Sequence, residues 1–102
     1  MISRHWKGIV KRGRADAYIA HLEGETLPSL RRLPGFVDAS ILRRETDGGT
    51  EFQIVTVWRS LDAIQAFAGA DLTAAVVPDA AQRLMASYDR FVVHYEIVGK
   101  KS

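Results

Sequence analysis

The sequence contains no cysteine and no asparagine, only three prolines, and no long apolar run. The absence of cysteine excludes disulfides, a thiolate nucleophile and any Cys-ligated metal centre. No stretch approaches the roughly 18–20 consecutive apolar residues that would cross a bilayer. The opening MISRHWKGIV carries charge but neither an apolar core nor a small-residue cleavage site, so no export signal is expected and the expected location is cytoplasmic. A dominant charge sign is also lacking: 14 Lys and Arg oppose 12 Asp and Glu, for a formal net charge of +2. The basic pairs Lys11-Arg12, Arg31-Arg32, Arg43-Arg44 and Lys100-Lys101 are scattered among acids rather than forming a stripe with stacking aromatics, which argues against a nucleic-acid surface. There is no Gly-rich phosphate loop, nucleophile elbow or zinc spacing.

What remains is a 102-residue chain, 47% hydrophobic and 25% charged, the profile of one globular domain over 1–102 with 99–102 as a loose tail. ISRHWKGIV (2–10) reads as a strand, with Ile2, Arg4, Trp6, Gly8 and Val10 on one face. ADAYIAHLEGETLPSLRRL (15–33) has a broken helical stripe of Tyr18, Ile19, Leu22, Leu30 and Leu33. Gly24 and Pro28 predict a kink or two pieces there. FVDASILRR (36–44) and EFQIVTVW (51–58) read as strands joined through Asp47-Gly48-Gly49, residues that tolerate positive φ. Ser60 is an N-cap for a helix over 61–68 that Gly69 stops. Asp79 and Gln82 have capping-box spacing and predict a third helix, AAQRLMASY (80–88). RFVVHYEIV (90–98) is the last strand.

The order β-α-β-β-α-β is the ferredoxin-like arrangement, an α+β fold. Right-handed crossovers put both helical arms on one face of a four-stranded antiparallel sheet. EFQIVTVW is apolar on both faces, with Phe52, Ile54 and Trp58 on one and Val55 and Val57 on the other. An exposed apolar sheet face is seldom tolerated by monomers, and a second sheet is its natural cover. A single domain has none to offer, so a two-fold homodimer through the sheet face is expected.

On the stretches LPGFVDASILRR, EFQIVTVWRSLDAIQAFAG, AVVPDAAQRL and DRFVVHYEIV, the chain resembles the antibiotic biosynthesis monooxygenase (ABM) domain family of the dimeric α/β-barrel superfamily. The resemblance spans nearly the whole chain. It implies protomers whose sheets join into a barrel, with a small-molecule pocket between sheet and helices. Some members oxidise aromatic polyketides with molecular oxygen and neither metal nor flavin; others degrade heme. The heme-degrading pattern has an asparagine on strand 1, a tryptophan on the helix after strand 3 and a histidine beyond. Those positions here hold Trp6, Phe67 and the apolar Ala75–Val77, against heme, since the iron needs an axial ligand.

The expected activity is therefore cofactor-independent oxygenation of a small aromatic compound, with a non-catalytic small-molecule binding module as the alternative on the same fold. Trp6, Tyr18, Trp58, Phe67 and Tyr95 are the candidate pocket residues, although aromatic rings equally serve to fill a small core. The Trp6 indole is the candidate to orient a phenolic substrate. His21, at the edge of the helical stripe, and Tyr88 are candidates to assist deprotonation. His5, His94 and Glu96 on neighbouring strands are an alternative set of metal ligands, although no metal is expected.

Overall fold

The central strand must satisfy hydrogen-bonding groups on both edges, and its neighbours set the fold. In a computed structural model describing residues 1–102, the elements are β1 (Ile2–Val10), α1 (Ala15–His21), a π-helical turn (Leu22–Thr26), α2 (Leu27–Arg31), β2 (Phe36–Thr46), β3 (Gly49–Trp58), α3 (Leu61–Ala68), α4 (Asp79–Gln82), β4 (Met85–Tyr88) and β5 (Val93–Glu96). The sheet is antiparallel, in the order β2-β3-β1-β4, with β5 also paired to β1. β3 covers the whole of one edge of β1, from Ile2 opposite Trp58 to Val10 opposite Thr50. Two short strands divide the other edge: β4 pairs Gly8 with Tyr88, and β5 pairs Ile2–His5 with Glu96–Val93.

The expectation of a helix over 80–88 is therefore corrected. α4 ends at Gln82, and 85–88 is a strand that supplies partners to the C-terminal half of β1. The expected capping box does not form either. Pro78 occupies the N-cap position, and Gln82 Nε2 donates to the Val77 carbonyl, 2.8 Å away. The last strand is correspondingly shorter than 90–98, spanning Val93–Glu96.

The first helical arm runs as one contiguous helical segment with a π-helical turn at its middle. Pro28 has no N–H to donate to Gly24, and the chain widens into the π-helical turn rather than breaking. The Ser60 hydroxyl accepts from the Ala63 N–H at 3.2 Å, opening α3, and Gly69 closes it at φ 81°. In the β2–β3 hairpin, Gly49 alone takes positive φ.

Strand alternation sorts the side chains. Arg4, Trp6, Val10, Phe52, Thr56 and Trp58 are buried beneath the helices. One cluster gathers Trp6, Val10, Tyr18, Leu22 and Phe52; a second packs Leu30 and Ile64 around Trp58. Complete burial of each large side chain contributes about 1.5–3 kcal/mol. The opposite face carries Leu42, Val93 and Tyr95, each at least half exposed.

Two glycines separate backbone constraint from mere presence. Gly49 has φ 136°, and a Cβ there would collide with the Val10 carbonyl oxygen. Gly24 is helical with open space around it. Gly49→Ala is expected to destabilise by more than about 1 kcal/mol, whereas Gly24→Ala stabilises by about 0.4–1 kcal/mol. Urea midpoints moving in the same direction for both would contradict this account.

Candidate functional site

β1 and β3 provide the floor of a cavity of about 70 Å³, through Arg4, Trp6, Ile54 and Thr56. The helical arm provides one wall, with Tyr18, His21 and Leu22, and the segment Val76–Pro78 with Phe67 provides another. Val76 lines it and is 44% exposed, so the cavity meets solvent there. A single water needs about 10–15 Å³ of such space, so the cavity has room for a few waters or a small ring. No aspartate or glutamate lines it.

Of the five expected pocket aromatics, Trp6, Tyr18 and Phe67 line the cavity. Trp58 is fully buried and stacks behind Phe67, with ring centroids 5.7 Å apart, and its Nε1 donates to Thr56 Oγ1. Tyr95 lies on the other face of the sheet, 57% exposed, edge-on to His5 at 4.9 Å. Parity decides this: Tyr95 is level with Ser3 in the β5 register, and Ser3 and His5 point away from the helices. The Trp6 indole does not orient a ligand through its N–H, because Nε1 already donates to the Asp89 carbonyl at 2.8 Å. Its ring contributes an apolar floor.

His21 lines the cavity, and its Nε2 is buried with no hydrogen-bond partner. Its ring lies nearly parallel to that of Tyr18, 6.5 Å between centroids. Burial pushes the Tyr18 phenol up, so it stays protonated near neutral pH. Tyr88 lies on β4, packed at a tilt against Trp6, and does not line the cavity. The alternative metal set does not assemble. His5 is level with Val93 while His94 is level with Arg4, so His5 and the His94–Glu96 pair occupy opposite faces.

The sequence reading placed Arg4 on the same strand face as Trp6 but gave it no role. Arg4 is 4% exposed. Its Nη1 donates to the Leu72 carbonyl at 2.6 Å and meets His94 Nε2 at 3.0 Å, and its Nη2 donates to the Ala74 carbonyl at 2.8 Å. The guanidinium sits 5.6 Å from the centre of the Phe67 ring, within cation–π range. An arginine between Ile2 and Trp6 on an otherwise apolar strand face was the available signal. Burial lowers the Arg4 pKa, yet guanidinium remains charged in proteins.

Since guanidinium only donates, His94 Nε2 must accept, which requires a neutral ring protonated on Nδ1. Desolvation first, then the charges of Arg4 and His5, hold the His94 pKa below its ordinary value.

A porphyrin does not fit these residues. The cavity is too small, its Val76–Val77 wall offers no ligand, and the one lining imidazole keeps Nε2 sealed from solvent.

The family model for antibiotic biosynthesis monooxygenases matches residues 1–79. A provisionally assigned antibiotic biosynthesis monooxygenase from Bacillus cereus superposes with a TM-score of 0.69 at 19% identity, covering 100% of this chain and 95% of that one. SnoaB, a cofactor-independent oxygenase from Streptomyces nogalater, gives 0.58 at 22% identity, covering 99% and 94%. A heme-degrading protein from Mycobacterium tuberculosis gives 0.58 at 20% identity, covering 100% of both chains. At these identities the likeness speaks for the fold alone. No curated protein matches significantly in sequence.

The depressed His94 pKa fixes a direction for pH dependence. Below an unfolded value of about 6.5, the unfolded chain takes up a proton that the folded His94 refuses, so stability falls as pH drops through that value towards the folded pKa. His5, whose pKa burial also lowers, adds in the same sense. An NMR titration is expected to place the His94 midpoint below that of free histidine. A midpoint at or above the free value would break the Arg4–His94 assignment.

Proposed function

Because the chain belongs to the antibiotic biosynthesis monooxygenase family, we propose that it oxygenates a small, electron-rich aromatic compound in the cavity beneath the helical arm, using molecular oxygen and no cofactor. The chemical character of the cavity carries this reading: aromatic and aliphatic walls, an imidazole nitrogen without a protein partner, a guanidinium, and no carboxylate. Such a site suits a flat substrate that becomes electron-rich on losing a proton. SnoaB, of the same fold, supports the cofactor-free form of the reaction.

The electron count closes without help from the protein. An activated ring methylene loses a proton, and the resulting carbanion reduces oxygen. Overall, CH2 plus O2 gives C=O plus H2O, with the carbon supplying all four electrons and keeping one oxygen atom. The protein positions and desolvates the substrate and accepts the first proton. His21 is the proposed base, since no protein group competes for its Nε2. Tyr18, held protonated, acts as a neutral hydroxyl. Tyr88 is outside the cavity and has no such part.

One observation favours the binding-module alternative: His21 Nε2 is sealed from solvent. Proton transfer to it requires the arm to shift when a ligand enters.

The proposed assembly is a homodimer through the open sheet face, supported by the exposed Leu42, Val93 and Tyr95 on that face. Sedimentation at micromolar concentration is expected to give a dimer. Leu42→Asp, whose site is half exposed in the protomer, should give folded monomers. A wild-type monomer would remove the dimer from the proposal.

Oxygen uptake with anthrone-type and hydroquinone substrates tests the chemistry. One O2 consumed per product, unaffected by chelators, is expected, and His21→Gln should slow it by about 10²-fold or more. Ligand binding without oxygen uptake across the panel would leave only the binding module.

A further inference from the structure

We propose that the cavity selects aromatic ligands carrying an ionised oxygen, and that Arg4 docks that oxygen through N–H groups on Nε and Nη2. The inference rests on the cavity being the ligand site, as in the proposed function, but not on oxygen chemistry.

A buried guanidinium without a counter-ion is costly; removing one partner from a buried ion pair typically destabilises strongly because the remaining charge is uncompensated. Arg4 stands in that condition. It is 4% exposed, and no carboxylate lies within 4.0 Å of it, the chain's one ion pair being the surface contact Arg44–Glu51. Its three partners are two backbone carbonyls and a neutral imidazole, which satisfy hydrogen bonds without supplying negative charge.

Guanidinium carries five N–H groups. The contacts to Leu72, His94 and Ala74 leave one on Nε and one on Nη2 without a protein acceptor. Nε is not sealed from solvent, and the residue lines the cavity. The three partners also hold the guanidinium in place, so docking a ligand on it costs little further rotamer entropy. The planar fork matches a carboxylate in bidentate fashion and a phenolate through two converging donors. Of the other titratable groups lining the cavity, Tyr18 stays protonated and His21 carries no negative charge in either protonation state, so neither provides the missing anion. Trp6 and Phe67 supply the apolar surroundings for a ring attached to it.

The test compares isosteric probes under anaerobic conditions. By calorimetry, benzoate is expected to bind the wild-type protein at least about tenfold more tightly than benzamide. By absorbance, bound 4-nitrophenol should ionise about one unit lower than free 4-nitrophenol. Arg4→Gln should bring benzoate and benzamide within about twofold and abolish the 4-nitrophenol shift; Arg4→Lys should restore part of both. Benzamide binding as tightly as benzoate, an unshifted or raised 4-nitrophenol pKa, or no binding of any probe would overturn the proposal. Should Arg4→Gln fail to fold, the wild-type comparisons and Arg4→Lys still decide. These probes do not depend on turnover. Benzoate preference without oxygen uptake would remove the oxygenase reading and leave Arg4 as an anion dock. Uptake without benzoate preference would do the reverse.

Discussion

Everything in this domain is arranged around the need to pair both edges of β1. On one side β3 runs alongside it without a break. On the other side no single segment does so, and β4 and β5 share the edge. The chain between them crosses from Tyr88 to Val93, so that Asp89 accepts from the Trp6 indole and Val92 reaches the core. The same arrangement brings His94 level with Arg4, and it sets the Leu72–Ala74 segment over the strand where its carbonyls can receive the guanidinium. The cavity is thus a consequence of sheet pairing. Its guanidinium comes from the central strand, and its cover comes from the helical arm, which brings Tyr18 and His21, and from a largely irregular segment.

That contrast bears on how a ligand is accommodated. Trp6 and Arg4 are held by long-range hydrogen bonds to residues more than sixty positions away in sequence. His21 and Leu22 lie where the arm passes from α-helix into its π-helical turn, and Thr26 closes that turn. A π turn is rare and, where it interrupts an α-helix, is frequent at functional sites. A floor held by long-range hydrogen bonds beneath an arm with a local irregularity is the arrangement on which the proposed ligand site rests.

Much of the fold was legible from local chemistry. The hairpin glycines, the Ser60 cap, the interruption at Gly24 to Pro28 and the alternation of β1 and β3 each act within a few residues, and the family resemblance organised them into one topology. The segment 80–88 was not legible, because its alanines favour a helix in isolation. Only the empty edge of β1, a tertiary demand, turns Met85–Tyr88 into a strand. Tyr95 was misplaced through register, a quantity that pattern alone leaves open by one residue, and one residue reverses the face. Arg4 escaped notice for a different reason: a charged residue on a strand reads as solvent-facing, and its burial becomes visible only once the carbonyls and imidazole that receive it are in place.

The strand's period of two then separates the cavity from the open sheet face. Arg4 and Trp6 project into the cavity; Ser3 and His5 project to the open face, where His5 contacts the Ser3 hydroxyl at 2.9 Å and Tyr95 edge-on. A one-residue change in β1 register would exchange the two sets, putting a guanidinium on the open sheet face and emptying the cavity of its cation. A cavity without Arg4 would be easier to fold, since an aliphatic side chain in its place would remove an unneutralised charge. The chain instead holds that charge with three donors' worth of hydrogen bonding and leaves two N–H groups unspent. An unneutralised charge supported in this way has a physical rationale when a ligand relieves it.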